Sequence, residues 1–319
     1  MQLDHLRAEA AACLGPLADH QESIVLRGQL AAELTQSEVE AQVAARRWQA
    51  LGSTVIALHN GELTQRQSWW AAVLAAEGPS ALAGRTAAEA HGLLGWEAEA
   101  VHVVIQRGAK VNRVPGVHVK VHESRRFTGE DIHESKSPPM VTVERALIDA
   151  AAWSRSPRTA CGLLAAGVQQ RLTTAERLTE MLASVGRVRH RRLLGRVLMD
   201  IAGGAQAVSE VDFLRFCARH GMPRPTLQVR RDVNGRRRYL DAVFRRADGQ
   251  TVRVEIDGAA HLVVSTYWSD MVRHNDFTLH REPLLRFPSA YIHAADPVAV
   301  AQLRAALGLS ATCQNVVGL

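Results

Sequence analysis

The stretch RRRYLDAVFRRADGQTVRVEID, residues 236–257, constrains this chain more than any other feature. Leu240, Ala242 and Phe244 alternate with Tyr239, Asp241 and Val243, and Val252, Val254 and Ile256 alternate with Arg253, Glu255 and Asp257. Period-two alternation predicts two strands, each with one apolar and one mainly polar face. The intervening Ala247-Asp248-Gly249 suits a three-residue hairpin connection, a type I turn followed by glycine in the left-handed region. That loop pairs Arg246 with Gln250, and counting inward sets Ala242 against Val254, Leu240 against Ile256 and Asp241 against Glu255. A two-residue loop slips the register by one and puts Asp241 against Ile256, which splits the apolar face.

Directly opposed residues hold their Cβ atoms roughly 4.5–5.5 Å apart. Two carboxylates at that spacing repel, and one is driven towards protonation unless a counter-charge intervenes. A hard divalent cation such as Mg²⁺ or Mn²⁺ takes oxygen ligands of this kind, one or two carboxylates at a time. Asp257 follows on the same face, and Glu210 on a preceding helix is a further candidate acid of the cluster. The other reading open at this point is plain solvation, or pairing with Arg238, Arg253 or Arg273.

Around this hairpin the last third of the chain spells helix, three-strand meander, helix, strand. SEVDFLRFCARHG is predicted as a helix with Ser209 as N-cap and Gly221 as its stop. TLQVRRDV runs to an Asn234-Gly235 turn. A helix is expected over Thr266–His280, then a buried strand LLRF, then a helix near Val298–Leu307.

Residues 1–65 read as three helices followed by a short ribbon. SIVLRGQLAAEL supplies Ile24, Leu26, Leu30 and Leu34 at mixed helical spacing. Ser37 with Glu40 spells a capping box that opens the next helix, and Arg46, Arg47 and Trp48 fall at its end. STVIALHNGEL then predicts a strand closed by Asn60-Gly61. This is the order of a winged helix-turn-helix, which makes Gln36, Ser37, Glu38, Gln42, Arg46 and Arg47 candidates for DNA contact. Residues 66–200 are mostly helical, with VHVVI and VHVKVHE expected as a hairpin around Pro115-Gly116. The arginines of GRVRHRRLLGRV are expected on one helix. The expected architecture is therefore α+β: a winged helix-turn-helix (1–65), a mixed helical and hairpin middle (66–200), and an αβββαβ domain (205–310).

The charge balance bears on the partner. Basic side chains number 38 against 32 acidic, and only Lys110, Lys120 and Lys136 among them are lysines. Codon bias in a GC-rich genome is the first source of so many arginines; the functional reading is a polyanion partner, because arginine grips phosphate in a bidentate fork. The four cysteines stand at Cys13, Cys161, Cys217 and Cys313, with no metal-ligand or CxxC spacing. No stretch reads as a signal peptide or a spanning helix, and the expected setting is cytoplasmic, without a membrane partner.

Motifs in order add a resemblance. S-E-x-D-F (Ser209–Phe213), GMPRP (Gly221–Pro225), Y-L-D (Tyr239–Asp241) and VEIDGAAH (Val254–His261) continue through WSDMVRHNDF to LLRFPS. Together they resemble the Vsr-like domain of the PD-(D/E)xK endonuclease superfamily over the last ~110 residues. The N-terminal region is similar, more loosely, to the winged-helix region of AbiEi-type antitoxins of type IV toxin–antitoxin systems, through VIALHNG, GRTAAEAHGLLGW (Gly84–Trp96) and VTVERALIDAA (Val141–Ala151). The nuclease resemblance implies Asp241 and Glu255 as metal ligands, Glu210 as the first-helix acid, and restriction-endonuclease-like topology. It also implies His261 as general base, with Arg273 and Asp276 as polar residues of the second helix. One position departs from the pattern: Asp257 stands where the superfamily motif has lysine.

The expected chemistry is metal-dependent phosphodiester hydrolysis on DNA, with Arg230, Arg231, Arg236, Arg237 and Arg238 neutralising the backbone. The alternative is a non-catalytic regulator or antitoxin on a decayed nuclease scaffold, with a cognate toxin as partner. A protein–protein module is the third reading, marked by a binding response flat in salt.

Overall fold

In the computed structural model the chain is α+β; the structure describes residues 6–125, 127–128, 131–133, 135–202, 210–231, 237–257 and 284–309. Two compact units divide between Asp149 and Ala150.

The N-terminal unit opens with α1 (Ala8–His20), whose Ala10, Leu14 and Ala18 recur every four residues and are buried. Glu22 and Ser23 take positive φ and turn the chain into β1 (Ile24–Leu26). SIVL, expected as helix, is thus a strand, and α2 is cut to Arg27–Leu30. The reason is two-sided burial. Val25 enters one apolar cluster with Leu14, Val39 and Trp48, while its neighbour Ile24 enters another with Val55 and Trp70. Only a strand sends adjacent side chains to opposite faces.

Helix α3 (Gln36–Ala44) begins two residues earlier than Ser37 and Glu40 suggest. Thr35 is its N-cap, its Oγ1 accepting from Glu38 N while Thr35 N donates to the Glu38 carboxylate. The overlapping box at Thr35 lengthens the helix and leaves Glu40 to pair with Arg27 at 2.7 Å. Then come β2 (Gln49–Ala50) and β3 (Val55–Ala57), in a sheet ordered β1-β3-β2 with both pairings antiparallel. The ribbon turns at residues 51–54, between β2 and β3, rather than at Asn60-Gly61.

The unit continues with α4 (Gln65–Leu74), β4 (Ser80–Leu82), α5 (Gly84–Ala90), β5 (Val101–Gln106), β6 (Val119–Ser124) and the start of α6 (Val143–Trp153), within which the two units divide. The expected hairpin of β5 with β6 is overturned: they pair parallel, from Val101↔Val119 to Gln106↔Ser124. The connection Arg107–His118 reaches the dozen or so residues a parallel crossover needs, and β4 supplies the antiparallel neighbour of β5. The expected break at 65/66 is no break in packing. Ile24, Leu51 and Val55 share a buried cluster with Trp70, Ala71, Ala75 and Val114.

The C-terminal unit carries α7 (Pro157–Gln169), α8 (Ala175–Ser184), α9 (Arg191–Ile201) and α10 (Glu210–Arg219). The arginine run does not lie on one helix. Gly186 and His190 take positive φ, so α9 starts at Arg191 and leaves Arg187 and Arg189 before it. After Gly221, in the left-handed region, come β7 (Thr226–Arg231), β8 (Arg237–Arg245), β9 (Thr251–Asp257), β10 (Leu284–Pro288), α11 (Ser289–Ala294) and α12 (Pro297–Ala306). The sheet order is β10-β9-β8-β7; the first three strands in sequence form an antiparallel meander, and β10 joins β9 in parallel. Phe213 and Cys217 of α10, Phe244, Val254 and Phe287 of the sheet, and Leu303 of α12 make one core, into which Cys161 of α7 and Val197 of α9 also pack. The expected boundary near 200–205 therefore falls inside a core. The expected Ser209 cap, Asn234-Gly235 turn and Thr266–His280 helix lie outside the described residues.

Candidate functional site

Hairpin β8–β9 positions the site. Arg246 N donates to Gln250 O at 2.8 Å, Gly249 N donates to Arg246 O at 3.1 Å, and Gly249 has φ +83°. This is the three-residue loop that the turn residues predict. The register follows it: Ala242↔Val254, Leu240↔Ile256 and Asp241↔Glu255. Ala242, Phe244, Val252, Val254 and Ile256 are each at most 1% exposed. Register is strongly held where one face is buried, because a one-residue slip would drive Glu255 into that core.

The neighbouring strands extend the polar level of the sheet. Gln228 of β7 is the partner of Asp241, and Arg286 of β10 is the partner of Glu255. One row thus crosses all four strands: Gln228, Asp241, Glu255, Arg286. Arg286 Nε donates to Glu255 Oε2 at 2.8 Å, with the two side chains 48% and 31% exposed. A pair this open to solvent contributes only about 0–1 kcal/mol to stability. The opposed acids offer oxygen donors, the donor chemistry of a hard divalent cation. Asp257, the partner of Tyr239 and Pro288, lies two residues along β9, and Glu210 is the first residue of α10. His261, Arg236, Arg273 and Asp276 lie outside the described residues; Arg237 and Arg238 begin β8.

Sequence reasoning missed Gln228 and Arg286. Each is a polar residue between apolar ones in its strand, but their place in this row depends on strand order.

Behind β10 sits a buried polar cluster. Ser289, fully buried at the strand's exit, donates through Oγ to Asp200 Oδ2 at 2.9 Å. His293 Nε2 lies 3.8 Å from the same oxygen. Burial pushes the Asp200 carboxyl up to about 7, against the Ser289 bond and Arg196, which lower it. Burial likewise pushes His293 down. With Ser289 sealed from solvent, this group ties the end of α9 to the end of β10.

In the N-terminal unit Gln36 and Ser37 are exposed on the first turn of α3, and Arg46 and Arg47 are exposed after its end. Gln42 corrects the expectation of a groove-facing residue: it is 8% exposed, and its Oε1 accepts from Arg47 Nε at 2.6 Å. It braces an arginine. Glu38 is also committed, its carboxyl held below the usual range by the backbone and side-chain bonds of Thr35.

No family model, no curated protein and no solved structure matches the chain. No helix among the described residues is long and apolar enough to cross a membrane.

Proposed function

We propose that this chain is a DNA-binding protein whose C-terminal unit is a metal-dependent, Vsr-like phosphodiesterase of the PD-(D/E)xK type. The observation that carries the reading is the pairing of Asp241 with Glu255 across β8 and β9. Asp241 and Glu255 would hold Mg²⁺ or Mn²⁺, with Glu210 and Asp257 as further acids of the site. A bound ion of this kind polarises the scissile phosphate and lowers the pKa of a coordinated water. His261 would serve as the general base for that water, an imidazole being suited to the task near neutral pH. Arg236, Arg237, Arg238 and Arg273 neutralise the DNA backbone.

The element order α1-β1-α2-α3-β2-β3 and the sheet order β1-β3-β2 support a winged helix-turn-helix as the DNA-binding part. In that reading α3 enters a groove, with Gln36, Ser37, Arg46 and Arg47 at its exposed ends. The test is cutting of duplex DNA by the purified chain in Mg²⁺ or Mn²⁺. Cutting is expected with the wild type and absent in Glu255→Ala, whose circular dichroism matches wild type. Cutting that survives Glu255→Ala removes this site from the reaction.

One observation favours a second reading. Arg286 already neutralises Glu255, and Asp257 replaces the motif's lysine; both suit a scaffold that binds DNA without cutting, as a cytoplasmic regulator or a type IV antitoxin with a cognate toxin. Retention of the chain on its own promoter DNA, with no cutting under any metal, is the result that reading expects.

A further inference from the structure

We propose that the crossover loop Arg107–His118 extends the DNA-contacting surface of the N-terminal unit beyond the turn between β2 and β3, with Arg107, Lys110 and Arg113 as phosphate contacts. The inference rests on the DNA-binding reading and holds whether or not the C-terminal unit cuts.

The loop is pinned at several points. Glu77 N donates to Lys110 O and Asn112 N to Ala75 O, each at 2.8 Å, and Ala76 bridges Val111 in antiparallel fashion. Val114 is 4% exposed in the cluster that holds Leu51, Val55 and Trp70, with Val111 and Val117 packed against it. The loop therefore gives its valines to the core and its cations to solvent: Arg107, Lys110 and Arg113 are all exposed.

Its attachment to the β2–β3 turn is tighter still. Gly52, at φ +94°, lies so close that a Cβ there would stand 2.4 Å from the Arg113 carbonyl oxygen. Backbone rests on backbone, so Arg113 is fixed beside the turn that a winged helix-turn-helix uses as its wing. Arg46 and Arg47 lie just before β2 in the chain.

Charge pairing separates these three cations from four arginines of the same unit. Arg7, Arg27, Arg66 and Arg145 each meet a carboxylate. Arg107, Lys110 and Arg113 have no ion pair among the described residues. Glu77 holds Lys110 through its backbone, and Glu123 lies on β6. Cations held on a fixed loop at three-residue intervals, without carboxylate partners, complement a polyanion. Because the loop is already ordered, binding does not have to order it.

The test is fluorescence anisotropy of the intact chain on a random-sequence duplex across a salt series. Each phosphate contact adds about 0.9 to the slope of log affinity against log salt. Replacing Arg107, Lys110 and Arg113 together by serine is expected to lower that slope by about 2–3 and to weaken binding at least roughly tenfold at 0.1 M salt. Arg107→Lys/Arg113→Lys, which keeps the charge, is expected to keep the slope. A serine variant that is folded by circular dichroism and retains the wild-type slope overturns the inference while leaving the DNA reading intact. Loss of the slope in the lysine variant as well also overturns it, since the loop then acts through its fold. A wild type that does not bind the duplex at any salt overturns the DNA reading and this inference with it.

Discussion

β5 and β6 of the N-terminal unit run parallel and are joined by Arg107–His118; β8 and β9 of the C-terminal unit run antiparallel and are joined through Ala247–Gly249. Both pairs are rich in valine, although β5 buries Val103, Val104 and Ile105 in a row while β9 buries Val252, Val254 and Ile256 alternately, and both have a glycine of positive φ in the connection, Gly116 and Gly249. The difference lies in the connection's length and in what it packs on. Three residues leave no choice but reversal. The longer loop finds its own burial site, with Val111, Val114 and Val117 on the cluster around Trp70, and carries the chain back so that β6 starts level with β5. The apolar pattern thus selects strands, whereas direction is decided by the loop.

Gly52, packed on the longer connection, and Gly249, within the shorter one, offer the largest effect. At Gly52 an added Cβ meets the Arg113 carbonyl at 2.4 Å, whereas at Gly249 it meets nothing within 4 Å. Both hold positive φ, so both substitutions cost about 1–2 kcal/mol in backbone strain. Gly52→Ala must also separate two backbones, and its total cost is expected to be about 3 kcal/mol or more; Gly249→Ala stays near 1 kcal/mol. Urea unfolding of the two variants measures the gap. Equal costs would mean that the turn is not locked to the crossover loop.

A buried acid in each unit sharpens the comparison next. Asp149 is met by Arg145 Nε at 2.8 Å, and burial still pushes its carboxyl up to about 6, against that arginine. Asp200 has a hydroxyl for its bond and rises to about 7. A carboxyl raised on folding stabilises the native state fully below its unfolded pKa, near 3.8, and that contribution is lost as pH rises through the folded value. Stability tied to Asp200 therefore falls between about pH 4 and pH 7. Asp200→Asn, which keeps an acceptor for Ser289, is expected to be near neutral at pH 4. By pH 8 it is expected to be more stable than wild type by on the order of 2 kcal/mol. His293, pushed down by burial, runs the other way and loses stability as pH falls, so the readout is the difference between variant and wild type. Thermal midpoints at the two pH values check it, and a difference that does not change with pH would mean that Asp200 is ionised in the fold.

How much was legible follows the same division between near and far. The pairing of Asp241 with Glu255 could be read because a three-residue loop and one buried face leave a single register. The end of α10 could be read from Gly221. SIVL could not be read as strand, because only packing on both sides of β1 distinguishes Ile24 and Val25 from residues of a helix. Thr35 lost to Ser37 on paper because two capping boxes overlap and the choice depends on what Glu40 meets, Arg27, far along the chain. Gln228 and Arg286 escaped for the strongest reason: nothing in TLQVRR or LLRFP says that β7 and β10 flank the hairpin at that level.

Arg286 gives the smallest effect on stability and separates the two functional readings. Its pair with Glu255 lies at the solvent edge of the sheet, so Arg286→Gln is expected to shift unfolding by no more than about 0.5–1 kcal/mol. On the nuclease reading the same change removes the cation nearest Glu255 in a site whose lysine position holds Asp257, and cutting is expected to fall far more than stability does. It also relieves Glu255 of its neutralising partner, so Mn²⁺ titrated into the variant without DNA is expected to bind more tightly than to wild type. On the regulator reading neither cutting nor Mn²⁺ binding exists to change, and DNA retention is the same with or without the guanidinium. A loss of several kcal/mol in stability would fit neither. It would mean that Arg286 holds the sheet together, and that the row from Gln228 to Arg286 is a structural ladder, unlike the solvent-facing cations of the crossover loop.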